Sequence, residues 1–236
     1  MIVYGRNAIR EALSSGNAET LFTLKRFEKD PLIQKAREQR VAVKFVDENE
    51  LTRMTKNSSH QGFVAISKDV ALLSLDELIR RAKQTKYPLL LMLDGLEDPH
   101  NLGAILRTAD ALGVDGVIIK SRGEVSISPT VAKVSTGALF YVNVCEVTNL
   151  SRAIETLQKN GYWVVASDGE AKQSYDEVDY RCPICLIVGS EGFGISKLVL
   201  SKSDFVVKIP MVGHVNSLNA SVSAAILVAQ IQLSRK

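Results

Sequence analysis

Short apolar runs alternate with amphipathic stretches along nearly all of this 236-residue chain, and this alternation limits the folds open to it. The run YPLLLMLDGL, residues 87–96, is apolar at almost every position, as in a strand buried on both faces of a parallel sheet. Later strands are predicted at GVIIK, FYVNVC, GYWVVAS, ICLIVGS and DFVVKI, with helices near 101–112, 129–135, 149–160, 195–202 and 219–233. We therefore expect an α/β domain built on a doubly wound parallel sheet.

The first seventy residues alternate in the same way, but in shorter elements. Strands are predicted at IVYG, TLFTL, VAVKFV and GFVAIS. Between them, Asn7 is the expected cap of a helix that ends near Ser14, Pro31 opens a second helix and Glu48 opens a third. These elements make a small α/β module.

A charged amphipathic helix, SLDELIRRAKQTK, joins the two regions. Ser74 and Glu77 stand three residues apart at its start, which is the spacing of a capping box. The sequence thus predicts a module of residues 1–70, a linker helix over 71–86 and a second domain over 87–236.

The net charge is only +3, so any affinity for nucleic acid must come from a local patch, and the first seventy residues are the more basic region. Met1 leads directly into a strand without a signal-peptide pattern, and no apolar run approaches the ~20 residues that span a bilayer. We therefore expect a cytoplasmic protein that makes no membrane contact. The pair Cys182 and Cys185 is interpreted as buried thiols at a strand start, because no histidine stands at ligand spacing; no metal is expected.

Three polar segments that contain glycine each lie beside one of the predicted strands. They are the first polar segment DPHNLGAILRTAD (98–110), the second polar segment VGSEGFG (188–194) and the third polar segment IPMVGHVNSLNAS (209–221). Short loops at strand ends are where α/β proteins bind their ligands. Three such segments in one domain indicate an enzyme.

In the first polar segment, Asn101 is the expected cap of the following helix, and Gly103 permits a close approach of the backbone. Arg107 lies one turn beyond Gly103 on the same face, where a guanidinium could bind a phosphate with two hydrogen bonds. An ion pair between Arg107 and Asp110 on a solvated face is the open alternative.

The second polar segment resembles a phosphate-binding loop but lacks its determinants. After Gly194 the chain continues with Ile195 and Ser196 instead of the P-loop lysine, and the spacing G-x-x-G-x-G differs from the dinucleotide fingerprint. What remains is a glycine turn that wraps a ligand with Glu191 at its tip. An ordinary tight turn is the alternative.

The third polar segment places Ser217, Leu218 and Asn219 at a strand-to-helix junction. The two polar residues are either helix caps or contacts to an adenine edge and a reacting ribose. The helix that follows has an alanine-rich face, which suits close packing inside the subunit or in a dimer.

These motifs resemble the SpoU branch of the SPOUT superfamily, the RNA ribose 2′-O-methyltransferases, and among them the enzymes that modify a guanosine of large-subunit ribosomal RNA. The resemblance extends over essentially the whole chain. It is carried by GRNAIREAL, HQGFVAI, LDGLEDPHNLGAILRTADALGVDGVII, SPTVAKVSTGAL, VGSEGFGIS and IPMVGHVNSLNASVSAA.

The resemblance implies a deep trefoil knot, S-adenosylmethionine as cofactor, a homodimer, and ribosomal RNA, or alternatively tRNA, as substrate. The implied cofactor contacts are Thr136, Gly137, Gly189, Ile209, Met211 and Leu218. The implied catalytic or substrate-orienting residues are Asn101, Arg107, Glu191, Ser217 and Asn219. In the first module, the expected RNA-binding residues are Arg6, Asn7, His60 and Gln61.

Methyl transfer from a sulfonium to a ribose hydroxyl requires in-line alignment and removal of the hydroxyl proton. Because an arginine side chain stays protonated in proteins, we expect Arg107 to hold the neighbouring phosphate and stabilise the developing alkoxide rather than act as the base. Glu191 is expected to orient Arg107 or to take the proton. The ribose would be oriented by Asn101, Ser217 and Asn219.

Overall fold

Strands and helices alternate through residues 1–56 and 59–236, which are the residues that the computed structural model describes. The strands are β1 (Ile2–Tyr4), β2 (Ala18–Thr23), β3 (Ala42–Phe45), β4 (Phe63–Ser67), β5 (Leu89–Asp94), β6 (Gly116–Lys120), β7 (Val144–Val147), β8 (Trp163–Ser167), β9 (Gln173–Ser174), β10 (Ile184–Gly189) and β11 (Phe205–Lys208). The helices are α1 (Arg6–Ser14), α2 (Pro31–Glu38), α3 (Glu48–Thr55), α4 (Leu75–Ala82), α5 (Pro99–Ala111), α6 (Pro129–Val134), α7 (Leu150–Lys159), α8 (Lys197–Lys202) and α9 (Ala220–Ser234).

These elements form two compact units. The N-terminal unit consists of residues 1–71 with 127–141, and the sheet unit of residues 72–126 with 142–236. The segment 127–141 was expected in the second domain, yet α6 and the turn after it pack against α1 and β1. Each compact unit therefore consists of two separate stretches of the chain, and not of one continuous stretch as the sequence predicted.

In the N-terminal unit, a four-stranded sheet in the order β1-β4-β2-β3 is antiparallel except between β2 and β3. The predicted apolar face of α2, formed by Leu32, Ile33 and Ala36, is buried against one side of this sheet. Leu51 of α3 packs with Val64 on the other side, because neighbouring residues of a strand point to opposite faces.

The start of α1 corrects one prediction. The helix begins at Arg6, and the residue before it is Gly5 with φ 89°, a left-handed conformation that favours glycine. Asn7 therefore lies inside the first turn and does not cap it. Its side-chain oxygen instead accepts a hydrogen bond from Arg10 at 3.2 Å.

The sheet unit confirms the predicted architecture. Its seven strands run in the order β7-β6-β5-β10-β8-β11-β9, and every neighbouring pair is parallel. All six residues of β5 are buried, as its apolar sequence predicted. In the register of β5 with β10, Asp94 stands beside Gly189, so the loops that follow these two strands leave the sheet side by side. The trefoil knot stays a prediction.

Three further predictions need correction in this unit. The segment expected as a linker contains α4, whose Leu78, Ile79 and Ala82 are part of the sheet unit's core. Ser74 caps α4 by accepting from the Glu77 backbone N–H at 3.3 Å, but the Glu77 carboxylate binds Arg80 and Arg81, which lower its pKa to about 2. The strand predicted at FYVNVC begins only at Val144, after a 3₁₀ turn over residues 138–140.

The C-terminal helix α9 packs against α5 and is anchored at its end by Arg235. The Arg235 guanidinium donates hydrogen bonds to the carbonyl oxygens of Tyr87, Tyr180 and Cys182, at 2.8 to 3.0 Å. These bonds fix the end of α9 to the chain just before β5 and β10. Within the described residues, no helix has the length and apolar composition needed to cross a membrane.

Candidate active site

The three polar segments are brought together at the carboxyl edge of the parallel sheet, following β5, β10 and β11. Asp94 at the end of β5 is 7% exposed, and its carboxylate accepts the backbone N–H of Ser196 at 2.8 Å. This hydrogen bond joins the chain just after the second polar segment to the strand end that precedes the first polar segment. The Asp94 carboxylate thus holds the two segments close to each other.

The second polar segment forms a closed turn. The backbone groups of Ser190 and Gly194 exchange two hydrogen bonds, at 2.9 and 3.2 Å. A Cβ atom at Gly189 would lie 2.2 Å from the backbone of Gly194, so only glycine fits where the turn folds back on the strand. Glu191 is presented at the tip of this turn, as the sequence predicted.

Three side chains meet at that tip, one from each polar segment. The Asn101 amide donates to Glu191 Oε1 at 3.1 Å, and the Asn219 amide donates to Asn101 Oδ1 at 2.9 Å and also to Glu191 Oε1. We call this group the polar cluster. Its hydrogen bonds form a closed ring, which fixes the side chains relative to one another.

The helices position the two asparagines in different ways. Asn219 caps α9, since its side-chain oxygen accepts from the backbone N–H groups of Ser221 and Val222. Asn101 is not a cap, contrary to prediction, because Asp98 caps α5 by accepting from the His100 N–H at 2.8 Å. Asn101 lies in the first turn instead, where it is 7% exposed and free to face Glu191.

A cavity opens beside the polar cluster. Several residues predicted to bind a cofactor or the substrate line it: Gly189, Glu191, Ile209, Met211, Ser217 and Leu218. The sequence interpretation missed Ser167, Asp168 and Gly169, which also line the cavity. Ser167 ends β8 and the other two follow it. Because β8 lies between β10 and β11 in the sheet, their position depends on strand order, which the sequence alone did not give.

The charge of this cavity restricts the ligand it can hold. Its lining includes the carboxylates of Asp168 and Glu191, and none of the described residues that line it is a lysine or arginine. Ile209 and Leu218 supply apolar walls. The arrangement suits a ligand with a flat apolar ring and a positive charge, and it disfavours a ligand anchored by phosphate.

Two residues expected at the cofactor, Thr136 and Gly137, belong to segment 127–141 of the N-terminal unit. Their contact with a cofactor stays a prediction. Gly137 has φ 94° and packs on α1, where a Cβ would lie 2.3 Å from the side chain of Glu11. In this structure both residues shape a left-handed turn against α1.

Arg107 lies outside the polar cluster. It is exposed on α5, six residues after Asn101, which corresponds to about 9 Å along the helix and roughly 240° around it. Within residues 1–56 and 59–236 it makes no ion pair with Asp110, so the alternative interpretation is also not realised. Glu191 is held by two asparagines and not by Arg107, contrary to one of the two roles expected for it.

Three of the four expected RNA-binding residues are accessible in the N-terminal unit. Gln61 accepts from the Arg6 backbone N–H at 3.0 Å, the Arg6 guanidinium binds Asp30 at 2.8 Å, and Asn7 is exposed. His60 is 2% exposed, and its ring nitrogens contact the Gly62 N–H and the Thr52 hydroxyl. His60 therefore supports the turn and cannot contact RNA in this conformation.

The cysteines agree with a structural role. Cys145 and Cys185 are buried, and burial raises the pKa of both thiols, that of Cys145 to about 12. Cys182 is half-buried, and its pKa is raised as well. Among the described residues, no three His, Cys, Asp or Glu side chains are grouped so that they could hold a metal ion.

Glu124 contacts the loop that follows β5. Its side chain is 4% exposed, lies 3.5 Å from Lys120 and accepts the backbone N–H of Gly95. Burial raises the pKa of Glu124, and the nearby Asp94 carboxylate raises it too, while Gly95 and Lys120 act in the opposite direction. The loop that leads to the polar cluster is thus hydrogen-bonded to a carboxyl group whose pKa is raised.

Glu124→Gln tests this environment through the pH dependence of stability. Because the pKa of Glu124 is higher in the folded protein, ionising it costs folded-state stability. That cost is absent below the ordinary glutamate pKa of about 4.3 and is complete above the raised value. The melting temperature of the variant minus that of the wild type should therefore increase from about pH 4 to about pH 8 in calorimetry. The exposed Glu170→Gln is the control, and a difference that stays flat or falls with pH would contradict the assignment.

Comparison with known proteins covers both units. Residues 88–229 match the model of the SpoU rRNA Methylase family, and residues 2–72 match a model described as RNA 2′-O ribose methyltransferase substrate binding. A protein of Staphylococcus saprophyticus named for the TrmH family of tRNA/rRNA methyltransferases is 43% identical over 236 residues. That alignment covers 98% of this chain and 94% of the relative.

Solved structures share the fold along the whole chain. A crystal structure described as an RNA 2′-O ribose methyltransferase is 28% identical, with a TM-score of 0.79, over 100% of this chain and 88% of that one. The SpoU methyltransferase AviRb from Streptomyces viridochromogenes, in complex with its cofactor AdoMet, is 24% identical, with a TM-score of 0.84, over 100% and 90%. The second likeness concerns the fold alone.

Proposed function

Because the chain belongs to the SpoU rRNA methylase family, we propose that it transfers a methyl group from S-adenosylmethionine to the 2′-hydroxyl of a ribose in structured RNA. The observation that carries this proposal is the polar cluster of Asn101, Glu191 and Asn219 beside an acidic cavity. The substrate we propose is a guanosine of large-subunit ribosomal RNA. A tRNA nucleotide is the alternative, since the name of the Staphylococcus relative includes both RNA classes.

The residues that line the cavity fit S-adenosylmethionine. This cofactor supplies an activated methyl group on a positively charged sulfonium. Asp168 and Glu191 favour a positive charge in the cavity, while Ile209 and Leu218 can enclose a planar adenine. Gly189 lies where the strand β10 ends and leaves the backbone there open to a ligand on the cavity side.

The polar cluster can align the ribose and accept its proton. Glu191 is the only carboxylate in the cluster, and the two amides that donate to Oε1 leave Oε2 as an acceptor for a ribose hydroxyl. Ser217, which also lines the cavity, can help to position the sugar. In this scheme Glu191 takes the proton, and Arg107 binds the phosphate next to the reacting nucleotide.

The assay that tests the function measures transfer of labelled methyl groups from S-adenosylmethionine to ribosomal RNA and tRNA from a strain that lacks the gene. Nucleotide-resolution mapping of 2′-O-methylation then distinguishes the two RNA classes. No transfer to either RNA would refute the proposal.

Asn219→Asp is the sharpest variant for this assay. The aspartate can still cap α9, but it removes the amide donor and places a second carboxylate against Glu191. We expect kcat to fall about 10²-fold or more, as for loss of a transition-state donor, with little change in melting temperature. Asn149→Asp, at the equivalent cap position of α7, is the matched control and should keep full activity. Equal kcat in both variants would contradict a catalytic role for the polar cluster.

Arg107→Lys examines the proposed phosphate contact. Lysine keeps the charge but loses the two parallel hydrogen bonds of a guanidinium. We expect RNA KM to rise about tenfold or more, since a bidentate contact contributes on the order of 1.5–3 kcal/mol, while cofactor affinity stays constant. Arg122→Lys, also exposed, is the control. Near-full activity of Arg107→Lys with unchanged RNA binding would rule out the bidentate role.

We also propose that the protein is a homodimer. Apolar side chains are exposed on α9, at Val222 and Leu233, and in the third polar segment, at Val212 and Val215. A second copy that packs on α9 and on this segment would remove them from water. Sedimentation velocity at micromolar concentration should show a dimer that Val222→Glu dissociates; a monomeric wild-type protein would contradict the proposal.

A further inference from the structure

A second cavity, of about 300 Å³, lies against the polar cluster in the sheet unit. Its walls are the loop 95–98 after β5 and residues 190–193 of the second polar segment. Asn101 and Glu191 line it as well, so it adjoins the point where the reacting ribose is held in the proposed function. Because Glu191 lines both cavities, the second polar segment separates them.

Phe193 stands at this cavity with 95% of its surface exposed. The Ser190 hydroxyl accepts its backbone N–H at 3.4 Å, and the closed turn between Ser190 and Gly194 keeps the residue away from the core. A ligand that covers an exposed phenyl ring removes apolar surface from water, which favours binding. Unpaired nucleobases commonly stack on aromatic side chains in this way.

The polar side chains at this cavity are mainly hydrogen-bond acceptors. Glu97 is exposed and lines the cavity. Asp98 uses Oδ1 for the His100 N–H, which lowers the pKa of Asp98, and its Oδ2 is left to accept from a ligand. No lysine or arginine occurs among the described residues that line the cavity. It therefore suits an uncharged ring with several N–H donors and does not suit a phosphate.

We propose that this cavity is the subsite for the base of the methylated nucleotide, with Phe193 stacked on a guanine whose N–H donors bind Glu97 and Asp98. The inference rests on the proposed function, because the base follows from where the ribose is held. Guanine is favoured since its Watson–Crick edge carries N1–H and the N2 amino group side by side. Adenine, cytosine and uracil each present one donor group on that edge.

Ligand-observed NMR titrations of the full-length protein, saturated with S-adenosylhomocysteine, test the subsite with GMP, IMP and UMP as probes. We expect GMP to bind at least about fivefold more tightly than IMP, which lacks the N2 amino group, and than UMP. Phe193→Ala should weaken GMP binding at least about fivefold, the effect of losing one base stack, whereas Phe193→Tyr should retain it. Leu198→Ala, which truncates an exposed apolar side chain on α8 away from both cavities, is the matched control and should bind GMP like the wild type.

The possible failures are distinguishable. Equal affinity for the three nucleotides would overturn the assignment of guanine, and unchanged GMP affinity of Phe193→Ala would overturn the stacking role. Loss of S-adenosylhomocysteine binding or of the dimer in Phe193→Ala would assign Phe193 to the cofactor or to a subunit contact, and so would overturn the subsite. If the wild type methylates RNA and Phe193→Ala has the same RNA KM, the subsite alone fails. If the wild type methylates no RNA, the proposed function fails as well.

Discussion

The parallel pairing of β5 with β10 is the constraint on which the site depends. Its register places Asp94 beside Gly189, and the buried Asp94 carboxylate then binds the Ser196 backbone N–H at 2.8 Å. One strand pair and one charge-assisted hydrogen bond thus determine how the loop after β5 meets the second polar segment. A slip of one residue in this register would displace the loop after β5 by about 3.3 Å relative to the second polar segment, which is more than the length of the bond between Asp94 and Ser196.

The polar cluster shows why asparagine and not a basic residue surrounds Glu191. An amide donor holds the carboxylate in place without adding a charge, so the neighbouring cavity keeps its negative potential. A lysine or arginine at Asn101 would neutralise that potential and weaken the attraction for a cationic ligand. The proposed affinity for the RNA polyanion must then come from basic groups outside the cavities. Arg107 and Arg6 are such groups, since neither lines either of the two cavities.

The sequence predicted the elements well because their signals are local. The apolar run of β5 and Pro31 at the start of α2 are recognisable from the immediate sequence. The family resemblance, rather than a local pattern, implied Gly189, Ile209 and Leu218, which line the cavity. One error concerns the exact start of a helix. Asn101 was expected as a cap because it has a capping side chain near a helix start, but Asp98 stands at the cap position itself.

Other features depend on contacts between residues that are distant in the sequence. The turn at Gly137 packs on α1, and no local pattern in the chain indicates that contact. His60 resembles an accessible polar residue in sequence, yet it is buried because the Gly62 N–H and the Thr52 hydroxyl satisfy its ring nitrogens. A polar residue type predicts chemistry only where the fold leaves its side chain available.

Because the second polar segment lines both cavities, its position affects the alignment of the two proposed ligands. In-line transfer tolerates little error in the position of the two reacting atoms, and misplacement by about 1 Å can cost roughly 10²-fold in rate. One short turn, closed by two hydrogen bonds between Ser190 and Gly194, lines both cavities and would contact both proposed ligands. The alignment therefore depends on the rigidity of this turn and on its anchor at Asp94. A change that loosens the turn would then lower kcat even if each ligand still bound with unchanged affinity.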